Sequence, residues 1–427
     1  MPLPPDLVKE YSARTPASRA LYHRFVAALP GGETRSVTFY SPYPLVLERG
    51  QGAHVVDADG NEYLDVLNNY TALVHGHAAP PIVRAAAAAM AEGTVFPAPT
   101  RHQLELAEAI VMRFPAVELV RFTNSGTEAS LLALRLARRA TGRRGLVMFE
   151  GGYHGTAPEF VDDEPDTRRV PYNDLNAVRA AVNERTAAVF VEPFLGSGGV
   201  IPARDGFLAG IEAIAASAGA LVVLDEVQSL RSHLPGVHGE QGLHPDLITL
   251  GKIIGGGFPV GAVGGRGDLM SLTAANRPGA MMHSGTFNGN SVTAAAGLAS
   301  LRLLDASAIA TLNRRAAFLA GRISEAGHRS DLNVAITRYG SIMQVHLKPG
   351  ERSITAASLH LALLLEGVYA APRGMLNLST ALTDADLERV ASGYASAFQR
   401  LSLAPVASAD RSALGRAVGA AMRKGQP

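Results

Sequence analysis

From about residue 80 to residue 304 the sequence alternates helical stretches with short, almost wholly apolar runs. The runs are Leu119–Thr123, Gly145–Phe149, 188–191, 220–224 and 247–250; the helical stretches cover 82–92, 102–114, 124–141 and 290–304. Strands without polar alternation need cover on both faces, and intervening helices supply it, so this pattern predicts an α/β fold on a parallel sheet. Upstream, a helix is expected over 12–29, ended by Pro30-Gly31-Gly32, and a hairpin over 45–66 that turns at Asp57-Ala-Asp-Gly60. The proline-rich residues 1–9 are expected to be loosely held. Beyond 305, helices mix with strands such as Ile342–Leu347, and 405–427 reads as one more helix. This divides the chain into an N-terminal segment, 1–70, that contributes to a small domain, a large domain over 71–305 and a C-terminal small domain over 306–427.

At 427 residues the chain is long enough for two domains with a substantial core, and 47% apolar with 18% charged residues is ordinary for a globular enzyme. A net charge of +1 gives no argument for a nucleic-acid or membrane partner. The chain has no cysteine, which removes disulfides, thiolate metal sites and cysteine nucleophiles. The start, Met1-Pro-Leu-Pro-Pro-Asp6, lacks the apolar stretch of a signal peptide, and no run approaches a membrane span, so a cytoplasmic location is expected. His75-Gly-His77 reads as a loop detail rather than a metal site, and no metal is expected.

Three apolar runs end abruptly in polar residues: Glu150-Gly-Gly-Tyr153-His154, Glu192-Pro193 and Asp225-Glu-Val227-Gln228. A fourth ends in Gly251-Lys252, followed by a glycine-rich stretch to Gly265. In open parallel sheets, ligands bind beyond the carboxyl ends of the strands. A lysine there, desolvated, has a lowered pKa and a free amine for Schiff-base chemistry, and the glycines would let backbone approach a bulky ligand. An exposed turn lysine would look the same, and carboxylates at strand ends also cap helices. A P-loop fails, because Asp246 and Ile253 stand where Gly and Ser or Thr are required. Asn124-Ser125-Gly126-Thr127 opens a helix and offers free amides to a phosphate, although N-capping explains the same residues. A phosphate, an aldehyde for Lys252 and a ring nitrogen that needs an acid together describe pyridoxal 5'-phosphate, with Asp225 as the acid.

The motifs Asn124-Ser-Gly-Thr-Glu-Ala129, Gly152-Tyr-His-Gly155, Val191-Glu-Pro193, Asp225-Glu-Val-Gln228, Leu250-Gly-Lys-Ile-Ile-Gly-Gly-Gly257 and Gly285-Thr-Phe-Asn-Gly-Asn290 stand in the order found in class III (subgroup II) aminotransferases. From about Pro30 to Leu382 the chain resembles that family. The resemblance implies fold type I: a large domain on a mostly parallel seven-stranded sheet and a smaller α+β domain built from both termini. It also implies that Lys252 forms the Schiff-base link and shuttles the proton, that Asp225 pairs with the ring nitrogen, and that Tyr153 and Val227 cover the two ring faces. Gln228 would bond the ring hydroxyl, and Ser125, Gly126 and Thr127 would hold the phosphate. His154 and Glu192 would stand behind them. Thr286 would reach the phosphate of a neighbouring subunit, which implies a homodimer with shared sites.

Pro30-Gly-Gly with Thr34-Arg35-Ser36 is similar to glutamate-semialdehyde aminomutases. Arg35-Ser-Val-Thr-Phe-Tyr40 together with Tyr369-Ala-Ala-Pro-Arg373-Gly374 is more similar to aminotransferases of β-amino acids such as β-phenylalanine. Arg35 and Arg373 are then the candidates for the carboxylates of the amino donor and the 2-oxo acid acceptor, unless either simply pairs with a surface acid. Ser197 stands where many relatives carry a gating glutamate, which argues against the ornithine and γ-aminobutyrate type. Gln228 is usual for general ω-aminotransferases, whereas the aminomutase and β-phenylalanine groups tend to have Met there, which leaves the substrate class open, with general ω-aminotransferases and aminomutases as alternatives. A pyridoxal-binding regulator would need a DNA-binding module, for which the residues before 30 have no room.

Overall fold

A computed structural model describes residues 3–162, 164–347 and 355–403, and the helix expected over 405–427 lies outside them. A seven-stranded sheet has the order Leu119–Thr123, Gly261–Gly265, Leu247–Gly251, Leu221–Asp225, Thr186–Val191, Gly145–Phe149, Thr167–Val170. All pairings are parallel except those of Gly261–Gly265, which runs against both neighbours. Successive side chains of a strand point to opposite faces, and the core divides accordingly. Val147, Phe149, Val222 and Leu224 pack on one side, with Phe207, Leu208 and Ile211 of the helix Phe207–Ala218. Leu146, Met148 and Val223 pack on the other, with Leu132, Leu136 and Ala137 of the helix Gly126–Thr141.

Two strands were not anticipated. Gly261–Gly265 is Gly-Ala-Val-Gly-Gly, a composition that reads as a loop, and Thr167–Val170 is a short edge strand. The glycine is required for contact within the protein: a Cβ on Gly261 would lie 2.0 Å from the carbonyl oxygen of Ser125. Likewise a Cβ on Gly256 would lie 2.4 Å from the carbonyl oxygen of Ala296, on the helix Ser291–Leu303. These two glycines seat the lysine turn against its own scaffold, whereas Gly257 of the same stretch lines the cavity, as the expectation of room for a ligand requires.

The N-terminus also departs from expectation. Residues 3–9 are not loose: Pro5 opens the helix Pro5–Arg14, whose Leu7 and Tyr11 are buried, and Tyr11 Oη donates to the Tyr43 carbonyl at 2.8 Å. The single helix expected over 12–29 is two, because Pro16 cannot continue the first and Thr15 leaves the helical region at φ −129°, ψ 45°. The hairpin at Asp57–Gly60 forms, with Asp57 Oδ1 accepting from the amides of Asp59 and Asn61.

Besides the two-stranded pair of Phe194–Leu195 with Ile201–Pro202, two smaller sheets complete the described fold. One joins Leu47–Gln51, His54–Asp57, Glu62–Asp65 and Val368–Tyr369; the other joins Val334–Tyr339, Ile342–Leu347 and Met375–Asn377. The parallel pairing of Val368 with Leu64 brings N- and C-terminal chain into one sheet, so the smaller α+β part is drawn from both ends. Among the described residues no single helix is long and apolar enough to cross a membrane.

Candidate active site

The carboxyl ends of the large sheet open on a cavity of about 480 Å³. Arg35, Ser125, Gly126, Thr127, Tyr153, His154, Glu192, Asp225, Val227, Gln228 and Lys252 all line it, so the strand-end residues and the helix-opening turn do converge. Arg373 and Thr286 do not line it. Arg373 stands over the ring of Tyr70, which lies 5.9 Å from its guanidinium carbon and is the sequence neighbour of the cavity-lining Asn69. Thr286 sits in the loop that Asn288 ties to Asn124, by a 2.8 Å side-chain hydrogen bond.

Lys252 follows the buried strand Leu247–Gly251 and adopts φ 50°, a left-handed conformation that a lysine takes only where the surroundings enforce it. Burial lowers the pKa of its amine to about 8, against the opposing pull of the Asp225 and Glu192 charges; Arg35 and Arg373 push it further down. Although Lys252 keeps some exposure toward the cavity, protein surrounds its amine, and about a tenth of it is neutral at pH 7, far more than for an ordinary lysine.

Asp225 ends its strand with both oxygens engaged. Oδ1 accepts from the Val227 amide at 3.1 Å, and Oδ2 pairs with His154 Nδ1 at 2.8 Å. Burial opposes a charge on His154, but the hydrogen bond and charge of Asp225, with Glu192 nearby, hold its pKa above the ordinary value. Glu192 accepts from the amides of Tyr153 at 3.0 Å and Gly196 at 3.3 Å. Burial raises its pKa to about 7, with His154 pulling down and Asp225 pushing up.

At the far wall, Ser125 caps the helix Gly126–Thr141: its Oγ accepts from the Glu128 amide, and Glu128 reaches back to the Asn124 amide at 2.9 Å. N-capping is therefore real. It leaves the amides of Gly126 and Thr127 without a partner among the described residues, at the positive end of a sixteen-residue helix. Gly155 is needed alongside, because a Cβ there would lie 2.4 Å from Thr127 Oγ1.

The family model described as aminotransferase class-III matches residues 38–386. The chain belongs to the class III aminotransferases. A beta-phenylalanine transaminase of Variovorax paradoxus is 40% identical over 407 residues, which cover 90% of this chain and 93% of the relative. A glutamate-1-semialdehyde 2,1-aminomutase 2 of Geobacillus kaustophilus is 37% identical over 423 residues, covering 90% and 98%. Among solved structures, an omega-transaminase from Sphaerobacter thermophilus matches with a TM-score of 0.86 at 35% identity, over 90% of this chain and 98% of that one. The beta-phenylalanine aminotransferase structure from Variovorax paradoxus also gives 0.86, at 39% identity over 92% and 95%.

This class III aminotransferase is pyridoxal-phosphate dependent, and its cavity fits that cofactor. Two free amides at a helix N-terminus suit a phosphate, a buried amine suits an aldehyde, and a buried carboxylate backed by a histidine suits a ring nitrogen. Tyr153, 46% exposed, forms part of the cavity wall. Val227 stands beside the helix opening, 3.7 Å from where a Cβ on Gly126 would be.

Sequence reasoning missed the turn that carries Asn69 and Tyr70. Asn68, Asn69, Tyr70 and Thr71 have φ of 48°, 48°, 55° and 76°, four consecutive left-handed residues. Asn69 Oδ1 accepts from Arg35 Nη1 at 2.6 Å, and the Arg35 guanidinium lies 5.5 Å over the Tyr70 ring. The Asn-Asn pair was the available signal, since asparagine tolerates the left-handed region best after glycine. His75 and His77, expected to be loop details, hold this neighbourhood together. His75 bonds the Ser300 carbonyl and Thr380 Oγ1, and His77 Nε2 pairs with Asp65 at 2.6 Å.

Proposed function

We propose that this aminotransferase moves an amino group from a β-amino acid, of the aromatic kind exemplified by β-phenylalanine, to a 2-oxo acid. The carrying observation is that neither Arg35 nor Arg373 forms an ion pair among the described residues. Arg35 has a neutral asparagine as its partner, Arg373 Nε is buried without one, and both guanidiniums attend the Tyr70 ring, next in sequence to the cavity-lining Asn69. Two unpaired guanidiniums suit two substrates that present carboxylates at different distances from the reacting carbon. Arg35 serves the donor's carboxylate; Arg373 serves the acceptor's and yields to an apolar side chain.

When bound, pyridoxal phosphate supplies the aldehyde that takes up the amino group and the ring that withdraws electrons from the reacting carbon. In this reading the Lys252 amine, neutral in useful amount near pH 8, holds the cofactor and carries the proton to and from that carbon. The Asp225 carboxylate keeps a proton on the ring nitrogen, and His154 keeps that carboxylate aimed. The amides of Gly126 and Thr127, with Ser125, hold the phosphate, and Tyr153 and Val227 exclude water from the ring faces. Gln228 bonds the ring hydroxyl.

A homodimer belongs to the same reading, with Thr286 of the partner subunit reaching the phosphate. Val83, Met90 and Phe258 are exposed large apolar residues that line a second cavity of about 400 Å³ beside the helix Pro80–Glu92, a surface suited to a second copy. A cytoplasmic location completes it.

The test is to supply β-phenylalanine, 1-phenylethylamine and glutamate semialdehyde separately, each with and without 2-oxoglutarate or pyruvate. A new α-amino acid formed from β-phenylalanine supports the proposal. Isomerisation of the semialdehyde without co-substrate would replace it with the aminomutase reading that Pro30-Gly-Gly and the 37% identical relative favour. Turnover of the plain amine alone would mark a general ω-aminotransferase.

A further inference from the structure

Arg35 and Arg373 are 338 positions apart in sequence, yet both guanidinium carbons lie over one aromatic ring, at 5.5 and 5.9 Å from the Tyr70 centroid. From this geometry we infer that Tyr70 is a specificity-determining positioning residue, a shared cation–π platform that sets both carboxylate-binding arginines at once. The inference rests on the reading of Arg35 and Arg373 as substrate-carboxylate binders.

Three further observations bear on it. Tyr70 is anchored at its rim: Oη donates to the Val37 carbonyl at 2.6 Å, which fixes the ring against the segment that carries Arg35. The phenol stays protonated, because burial raises its pKa and outweighs the two arginine charges that pull it down. The guanidiniums therefore meet a neutral π face and not a phenolate, which would bind them as an ion pair and compete with substrate.

The backbone beneath Tyr70 is fixed from several directions, which a ring merely filling space would not need. Asp65 Oδ1 accepts from the amides of Leu67 at 2.7 Å and Asn68 at 2.8 Å, and its other oxygen pairs with His77. Asn68 Nδ2 donates to the Asn377 carbonyl at 2.9 Å, and Asn377 Nδ2 returns a bond to the Leu67 carbonyl at 2.6 Å. Asn377 is in turn held by Arg231, a fully buried cation whose Nη1 donates to Asn377 Oδ1 at 2.8 Å. Left-handed conformations at four successive non-glycine residues persist only where surroundings over-determine them. Here the over-determined feature is the attitude of the Tyr70 ring.

The consequence is a coupling between two substrates. A platform common to both arginines makes donor and acceptor recognition respond together to a change at position 70. Two independently mounted arginines would not show this.

The experiment measures kcat/KM of the holoenzyme for β-phenylalanine, for 1-phenylethylamine, and for the 2-oxoglutarate half-reaction, in Tyr70→Phe and Tyr70→Leu. Tyr70→Phe keeps the π face and should hold all three within about threefold. Tyr70→Leu should lose roughly 2- to 5-fold on β-phenylalanine, through exposed Arg35, and up to about 30-fold on the oxo acid, through the more buried Arg373, while the plain amine changes little. Fluorinated phenylalanines at position 70 supply a second measurement should Tyr70→Leu fail to fold. They weaken the π face at nearly constant shape, and both carboxylate activities should fall stepwise with fluorine number. Equal losses for plain and carboxylated amines, or a flat fluorine series, would overturn the inference. Arg35→Ala and Arg373→Ala run in parallel separate the two failures. If these do not discriminate carboxylated from plain amines, the reading of the arginines falls; if they do and Tyr70 variants do not, only the platform falls.

Discussion

At the Lys252 end of the cavity each acid has a partner. Asp225 is bonded by His154 and the Val227 amide, and Glu192 by the amides of Tyr153 and Gly196. At the Arg35 end the charges meet an asparagine oxygen and an aromatic face. The first set hangs from strand ends whose apolar runs are buried in the large sheet; the second hangs from loops and a strained turn. Carboxylates held by backbone amides and a histidine can fix a cofactor in one pose. Cations left unsatisfied retain their capacity for a substrate that must enter and leave. Rigidity and vacancy are thus assigned to opposite walls, and each assignment is open to attack.

The largest effect should come from the strand-end wall. Lys252→Ala removes both the anchoring amine and the proton carrier, and steady-state turnover should fall on the order of 10⁴-fold or more. Borohydride reduction of the parent enzyme should fix cofactor to a peptide containing Lys252; an adduct on another lysine would remove it from its role. Arg35→Ala tests the other wall. Loss of a charge-assisted bidentate contact should lower kcat/KM for β-phenylalanine roughly 30- to 150-fold, about 2–3 kcal/mol, and spare 1-phenylethylamine. Equal losses on both amines would show that Arg35 is structural and erase the contrast between the walls.

Lys252 should also show its burial in stability. Its folded pKa of about 8 lies below the ordinary 10.5, so between those values the unfolded chain binds more protons and the cofactor-free protein gains stability as pH rises. Lys252→Met removes the cost of burying the charge. The cofactor-free variant should exceed the parent by about 2–3 kcal/mol at pH 7 in urea unfolding, and the difference should vanish above about pH 10.5. A constant difference across that range would mean that packing, not charge, separates the two proteins. Asn69→Ala should have the smallest effect. One exposed hydrogen bond to Arg35 is lost while Tyr70 still holds the guanidinium, so kcat/KM for the β-amino acid should drop no more than about twofold. A loss as large as that of Arg35→Ala would make the asparagine, and not the ring, the principal support.

The strand-end wall was legible in the sequence because its signals are local. An apolar run that stops at Asp225, Glu192 or Lys252 declares both a strand and a polar terminus within a few residues. The helix opening at Asn124–Thr127 is equally local. Gly261–Gly265 was not legible, because its strand state is imposed by Leu119–Thr123 on one side and Leu247–Gly251 on the other. Nor was the break at Thr15, where the apolar pattern continued and only Pro16 disagreed. The turn at Asn68–Thr71 was only partly legible: Asp65 and the Asn68-Asn69 pair stand within its own window, but Asn377 and Arg231, which also hold it, do not. Arg373 could be named from its motif, but the Tyr70 ring that it stands over belongs to no motif.

The bonds between Asn377 and the turn at Leu67–Asn68 cross more than 300 residues, and this gives the enzyme a birth order. During synthesis all seven strands of the large sheet, with Lys252 and Asp225, exist once Gly265 has been made. The turn that carries Tyr70 is translated before any of them, yet its fasteners, Met375–Asn377 and the strand Val368–Tyr369 that pairs with Glu62–Asp65, arrive more than a hundred residues after the sheet is complete. A ribosome-bound chain therefore has the strands that carry Lys252 and Asp225 before the turn at Asn68–Thr71 can be fastened, and a chain that stops short of residue 368 would carry that lysine without these fastenings.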